Sequence, residues 1–88
     1  MAKAIHFFTG SSSRGEPQDY AMRADGQWFT RHRAFNGYAV TWTRWTPCRN
    51  SETLSKAMRD GGAWLDYGFT PLRRIDGAPV RLPNANVQ

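Results

Sequence analysis

Three dipeptides punctuate the chain: Asp25-Gly26, Asn36-Gly37 and Asp76-Gly77. Asx-Gly is the favoured centre of a type I′ turn, which needs positive φ at both central positions and matches the twist of the strands it joins. Each dipeptide therefore predicts a hairpin. The first separates residues 20–24 from 27–34, and the second separates 27–34 from 38–46. Together they predict a three-stranded antiparallel meander.

With two-residue loops, the turns also dictate the register. Arg31 then faces Trp42, Phe29 faces Arg44, and Trp28 faces Trp45 across the second turn. Across the first, Met22 faces Phe29 and Tyr20 faces Arg31. One face of the meander carries Tyr20, Met22, Phe29, Arg31, Arg33, Val40, Trp42 and Arg44. The other carries Ala21, Arg23, Trp28, Thr30, His32 and Trp45 among its residues. A slip of one residue in either hairpin exchanges these sets locally, because side chains alternate between faces.

Around the meander, the apolar run at residues 4–9 (AIHFFT) reads as a strand. Residues 10–18, rich in Ser, Gly and Pro, read as a mobile loop. Pro47 ends the third meander strand. Asn50 or Ser51 can cap a helix, and Glu52 suits its first turn. Leu54, Ala57, Met58, Gly61 and Leu65 share one helical face, which predicts a helix over 52–67 stopped by Gly68. Gly61-Gly62 opposes that continuity, since an internal glycine costs about 1 kcal/mol relative to alanine. The pair either permits close packing on the sheet or breaks the helix. Residues 69–75 read as a strand, and Asp76-Gly77 returns the chain through 78–82. Pro79 confines that last strand to an edge, and the polar tail 83–88 frays.

The expected fold class is α+β, in one domain spanning residues 1–88. It is an antiparallel β-meander sheet of about 4–6 strands with one α-helix packed on one face, in two layers. The second sheet face is left partly open. Trp28 and Leu65 are expected in the core.

Composition narrows the function classes. The formal charge is +5, and ten of the twelve cations are arginine. This favours acidic partners: nucleic acid, an acidic protein surface or anionic lipid. Arginine suits bidentate and aromatic-stacked contacts. A GC-rich coding sequence would give the same bias, so the bias alone decides nothing. Cys48 is the single cysteine, which excludes an intramolecular disulfide and suits a reducing compartment. No apolar run is long enough to span a membrane, and Met1-Ala2-Lys3 precedes no signal-like stretch. The expected location is cytoplasmic, that of a host cell included.

No catalytic constellation emerges. Cys48 precedes the helix start, where a dipole could lower its pKa, but no base is placed beside it, so an inert thiol is expected. His6, His32 and Cys48 have no zinc-type spacing. Asp60, Asp66 and Asp76 are scattered. Neither a cofactor nor a metal is expected, and the protein reads as a non-enzyme.

Binding has more support. No acidic residue occurs from 27 to 51, while Arg31, Arg33, Arg44 and Arg49 fall inside that stretch among six aromatic rings. Such a face can stack bases and contact phosphates, or it can form a protein hot spot, where Trp, Tyr and Arg dominate. Equally, the rings can be core and the arginines cation–π lids over them. The partner-binding candidates are Tyr20, Arg31, Arg33, Trp42 and Arg44, with Arg73 and Arg74, which point to opposite faces of a strand.

The favoured reading is a small non-catalytic factor that inhibits or adapts a larger protein assembly. In organisation alone the chain resembles small phage proteins that inhibit host RNA polymerase or CRISPR complexes. The likeness rests on no motif, and no family membership follows from it. It implies a mobile-element factor acting on a complex that handles nucleic acid. The alternative is direct nucleic-acid binding by the meander, a layout that resembles domains laying a sheet into the major groove, as in some phage integrases. A continuous arginine stripe would favour nucleic acid. A patch centred on Trp42 and Tyr20 with arginines at its rim would favour a protein.

Overall fold

Phe7, Phe8, Tyr20, Trp28 and Phe29 fall in the first third of the chain, on the strands that build the centre of the sheet. A computed structural model describes residues 2–35, 37–77 and 80–84. Strand β1 (Ala2–Ser11) pairs antiparallel with β2 (Pro17–Arg23), and β2 with β3 (Trp28–Phe35). Strand β4 (Val40–Trp42) forms one edge beside β3, and β5 (Thr46–Pro47) also pairs with β3. One helix, α1 (Ser51–Arg59), follows. Two short strands, β6 (Arg73–Arg74) and β7 (Arg81–Leu82), complete a mostly central role for β1. The strand order is β4-β3-β2-β1-β6, with β7 also on β1. The fold is α+β, an antiparallel curled sheet with one α-helix laid on one face.

The loop expected over 10–18 is shorter. β1 runs through Ser11 and β2 starts at Pro17. Ser12 closes the turn between them: its amide donates to Glu16 O at 2.7 Å, and its Oγ accepts from the Arg14 and Glu16 amides.

The first Asx-Gly turn departs from the expected type. Arg23 N donates to Gln27 O and Gly26 N to Arg23 O, both at 2.9 Å, so the loop is residues 24–26. Gly26 alone takes positive φ, at 91°, which is the three-residue solution with glycine in the left-handed position. The extra loop residue slips β2 by one relative to β3. Tyr20 faces Thr30, Ala21 faces Phe29, and Asp19 faces Arg31. Tyr20 and Met22 therefore lie on the opposite face from Phe29 and Arg31, correcting the expected grouping.

The second hairpin is also wider. Arg33 faces Trp42 and Phe35 faces Val40, so the loop spans 36–39. Asn36 itself lies outside the described residues. The shift is two residues from the expected pairing of Arg31 with Trp42, so facing is preserved. A further one-residue irregularity follows Trp42, because Phe29 pairs with Pro47 and Thr30 with Thr46.

The helix ends where the glycine pair begins. Gly61 has φ 71° and Gly62 has φ 80°. Gly62 N donates to Ala57 O at 3.0 Å, the bond of a Schellman cap with Gly61 in its left-handed position. The expected helix over 52–67 is thus two pieces, α1 and a 3₁₀ turn at Trp64–Tyr67 that Gly68 stops with φ 88°. The rotation between them buries Trp64 and turns Leu65 out, 72% exposed. Leu65 is therefore not a core residue.

Asp76-Gly77 does not make a hairpin. β6 pairs with β1 at Phe8 and Thr9, and β7 pairs with β1 at Ala2 and Lys3, both antiparallel. The two short strands thus run in the same direction along β1. The expected strand over 69–75 is reduced to two residues. Pro79, the expected edge residue, and the tail beyond Asn84 lie outside the described residues.

Both sheet faces carry a core. On the helix side, Phe8, Met22, Trp28, Leu54, Ala57 and Trp64 pack together. The Phe8 ring stacks on Trp28 with centroids 5.7 Å apart and meets the Trp64 ring edge-on at 5.1 Å. Trp28 Nε1 donates to Ser55 Oγ at 2.8 Å, so the buried indole keeps its polar atom satisfied. On the other face, Ala21 and Phe29 are covered by Val80 and Leu82, with Phe7 and Trp45 at the margin. Arg23 lies over the Phe29 ring and donates to Pro83 O, which ties the C-terminal segment down.

Candidate binding surface

Odd-numbered residues of β3 share the second sheet face: Phe29, Arg31, Arg33 and Phe35. The C-terminal segment and Trp45 cover that face at Phe29 and leave it open toward Phe35. The surface therefore grades along one strand from core to solvent.

Arg31 sits at the boundary. Its Nε and Nη2 each reach Asp19 Oδ2 at 2.9 Å. Thr9 Oγ1 donates to the other carboxylate oxygen at 2.9 Å. The guanidinium lies 4.7 Å from the Trp42 ring centre and 4.6 Å from that of Trp45. Asp19 is 3% exposed, whereas the Arg31 side chain keeps 26%. Arg31 is thus engaged inside the protein, as the fastener between a buried carboxylate and two indoles. Asp19 had no role in the sequence reading. Its signal was the one acidic residue in a strand flanked by cationic and aromatic ones.

Beyond Arg31 the hairpin opens. Arg33 is exposed, with its guanidinium 5.4 Å from the Trp42 ring centre. Phe35 is 73% exposed, Tyr38 97%, Val40 54% and Trp42 37%. Four large apolar side chains thus emerge within one short hairpin. Phe35 and Val40 form a cross-strand pair on the same face as Arg33 and Trp42. Arg44, also exposed, follows in the irregular stretch before β5.

The other candidates are distributed. Arg73 pairs with Thr9 and so belongs to the face of Asp19 and Arg31. Arg74 pairs with Phe8 on the helix side, where it lies 4.9 Å from the Phe8 ring centre and 3.0 Å from His6 Nδ1. Tyr20 packs against the helix-side core. Burial, and secondarily the nearby Cys48, push its phenol above the ordinary tyrosine range. The structure therefore brings together Arg31, Arg33 and Trp42, places Arg73 farther along their face, and separates Tyr20 and Arg74 from them.

Cys48 packs against the helix-side core, and burial pushes its thiol up to about 11. A thiol held protonated is a poor nucleophile. Among the described residues, no three His, Cys, Asp or Glu side chains converge as a metal site, and no helix is long and apolar enough to cross a membrane. Comparison of the chain with protein-family models, with curated proteins and with solved structures finds no match in any of the three.

Proposed function

We propose that the protein is a non-catalytic binding factor that docks on a component of a larger protein assembly through the β3–β4 hairpin, and so inhibits or adapts it. The observation that carries this reading is the exposure of Phe35, Tyr38, Val40 and Trp42 between Arg33 and Arg44. Contiguous apolar exposure on a small domain marks an interaction site. Aromatic anchors with arginine at the rim have the make-up of a protein hot spot. A complex that handles nucleic acid, of the kind inhibited by small mobile-element proteins, is a target suited to this cationic surface. A reducing cytoplasm suits a single, partly buried thiol.

Direct binding of single-stranded nucleic acid is the second reading. The stretch without carboxylates and the Arg33–Trp42 stack favour it. Against it, Arg31 is already matched to Asp19, which interrupts a phosphate-tracking stripe.

Two measurements separate these readings. Affinity capture from a host lysate, with wild type beside Phe35→Ser and Val40→Ser, should recover a protein that the variants lose. Anisotropy titration of labelled DNA and RNA should give no binding at physiological salt. Tight binding that weakens steeply with salt would transfer the surface to nucleic acid.

A further inference from the structure

The outer edge of β4 has a definite hydrogen-bonding pattern. Thr43 N donates to His32 O at 2.8 Å and His32 N donates to Thr43 Oγ1 at 3.1 Å, which puts His32 and Thr43 at a hydrogen-bonding position of the ladder. Antiparallel partners alternate between bonded and non-bonded pairs. Ala34 and Thr41 are then the next bonded pair, while Arg33–Trp42 and Phe35–Val40 are non-bonded. The amides and carbonyls of Val40 and Trp42 consequently point away from β3. Among the described residues, no strand takes the outer side of β4. Proteins guard such edges with charge, proline or a covering segment. Here the two outward-facing positions are exposed Val40 and Trp42.

We infer that this edge accepts an extended, acidic segment of a partner protein as an additional antiparallel or parallel strand. The inference rests on the hairpin reading above and specifies its mode. Charge selects the occupant. Residues 27–51 hold no carboxylate, and Arg33 and Arg44 flank the edge. A second copy of the chain would bring these same cations together, on a molecule already at +5. An acidic strand would instead place carboxylates beside them. Main-chain bonds supply the affinity in this mode and the alternate side chains supply specificity.

The test is a titration of the isotope-labelled full chain with a short capped peptide alternating glutamate and valine. The amide signals of Val40 and Trp42 should move. Methylating the peptide's alternate amide nitrogens should abolish binding, and exchanging glutamate for lysine should do the same. In the protein, Val40→Pro removes one outward amide and leaves the β3 pairing intact. It should bind several-fold more weakly than Val40→Thr, a loss of about 2–10-fold being expected for one main-chain bond. Should Val40→Pro fail to fold, the methylated peptide against wild type decides.

Unmoved Val40 and Trp42 signals, or equal binding by the methylated or the lysine peptide, would overturn the edge inference. So would self-association of the free chain through those same amides, which would make the occupant a second copy. If Phe35→Ser weakens capture of a protein while the edge substitutions do not, the hairpin surface stands and strand addition falls. If captured proteins ignore Phe35→Ser as well, the hairpin reading itself falls.

Discussion

Asp19 and Arg31 face each other across β2 and β3, and the guanidinium meets the buried carboxylate at 2.9 Å. This pair joins the sheet's interior to its exposed aromatic end. Removing the cation strands a carboxylate that is 3% exposed and that keeps, among the described residues, the Thr9 hydroxyl. Arg31→Ala should therefore cost about 3 kcal/mol, the lower end for breaking a buried pair because Arg31 retains some solvent contact. Denaturant melts should also show that Asp19→Ala with Arg31→Ala costs less than the sum of the single changes. Additive effects would mean that the pair does not couple. A loss of binding in Arg31→Ala must accordingly be read beside its stability.

Trp64 and Leu65 provide an adjacent contrast. Trp64 closes on Phe8 with ring centroids 5.1 Å apart, and Leu65 faces water. Trp64→Ala should lower stability by about 3–5 kcal/mol. Leu65→Ala should stay within about 0.5 kcal/mol of wild type. Similar melting temperatures for the two variants would contradict the rotation at the end of α1.

The glycine pair isolates a backbone effect. Both residues have positive φ, which costs an L side chain about 1–2 kcal/mol. A Cβ at Gly61 would meet nothing within 4 Å, whereas one at Gly62 would lie 3.4 Å from Trp64 Nε1. Gly61→Ala and Gly62→Ala should both show this conformational cost, since 3.4 Å is an ordinary van der Waals contact. Calorimetry of the two variants measures it.

Stability should fall at both ends of the pH range. Burial first, and then the Arg74 charge, lower the His6 pKa below 6.5, while Lys3 and Asp76 line the same cleft. The folded state thus binds this proton less readily than the unfolded chain. The resulting stabilisation is present above pH 6.5 and is lost as pH falls through the folded value. His6→Gln should flatten that acidic slope. Cys48 works in the opposite direction: its thiol is raised from 9.0 to about 11, so its contribution is full below pH 9 and lost as pH rises toward 11. Melting curves across pH, with Cys48→Ala as control, check the alkaline arm.

The sheet and the single helix were legible because alternation, Asx-Gly turns and a helical face all carry local signals. The register was less so. Asp25-Gly26 is compatible with two-residue and three-residue loops, and one additional residue transfers Tyr20 from Arg31's face to the helix side. Gly61-Gly62 announced the helix end, but the rotation that exchanges Leu65 for Trp64 depends on Phe8, far away in sequence. Arg31, Arg33 and Trp42 were legible as one cluster. The division of labour among them was not, since only the pairing of β2 with β3 brings Asp19 to Arg31 and leaves Arg33 outside.

The attachment of β7 to β1 has a kinetic side. Ala2 pairs with Leu82, so this contact closes almost the whole described chain into one loop. Such closure must lose chain entropy before the contact returns any burial. The β1–β2–β3 hairpins, whose partners are close in sequence, can assemble without it. The cover over Ala21 and Phe29 cannot. Folding is thereby ordered: the β1–β2–β3 hairpins have local routes to their structure, and the second core waits for the chain's far end to return.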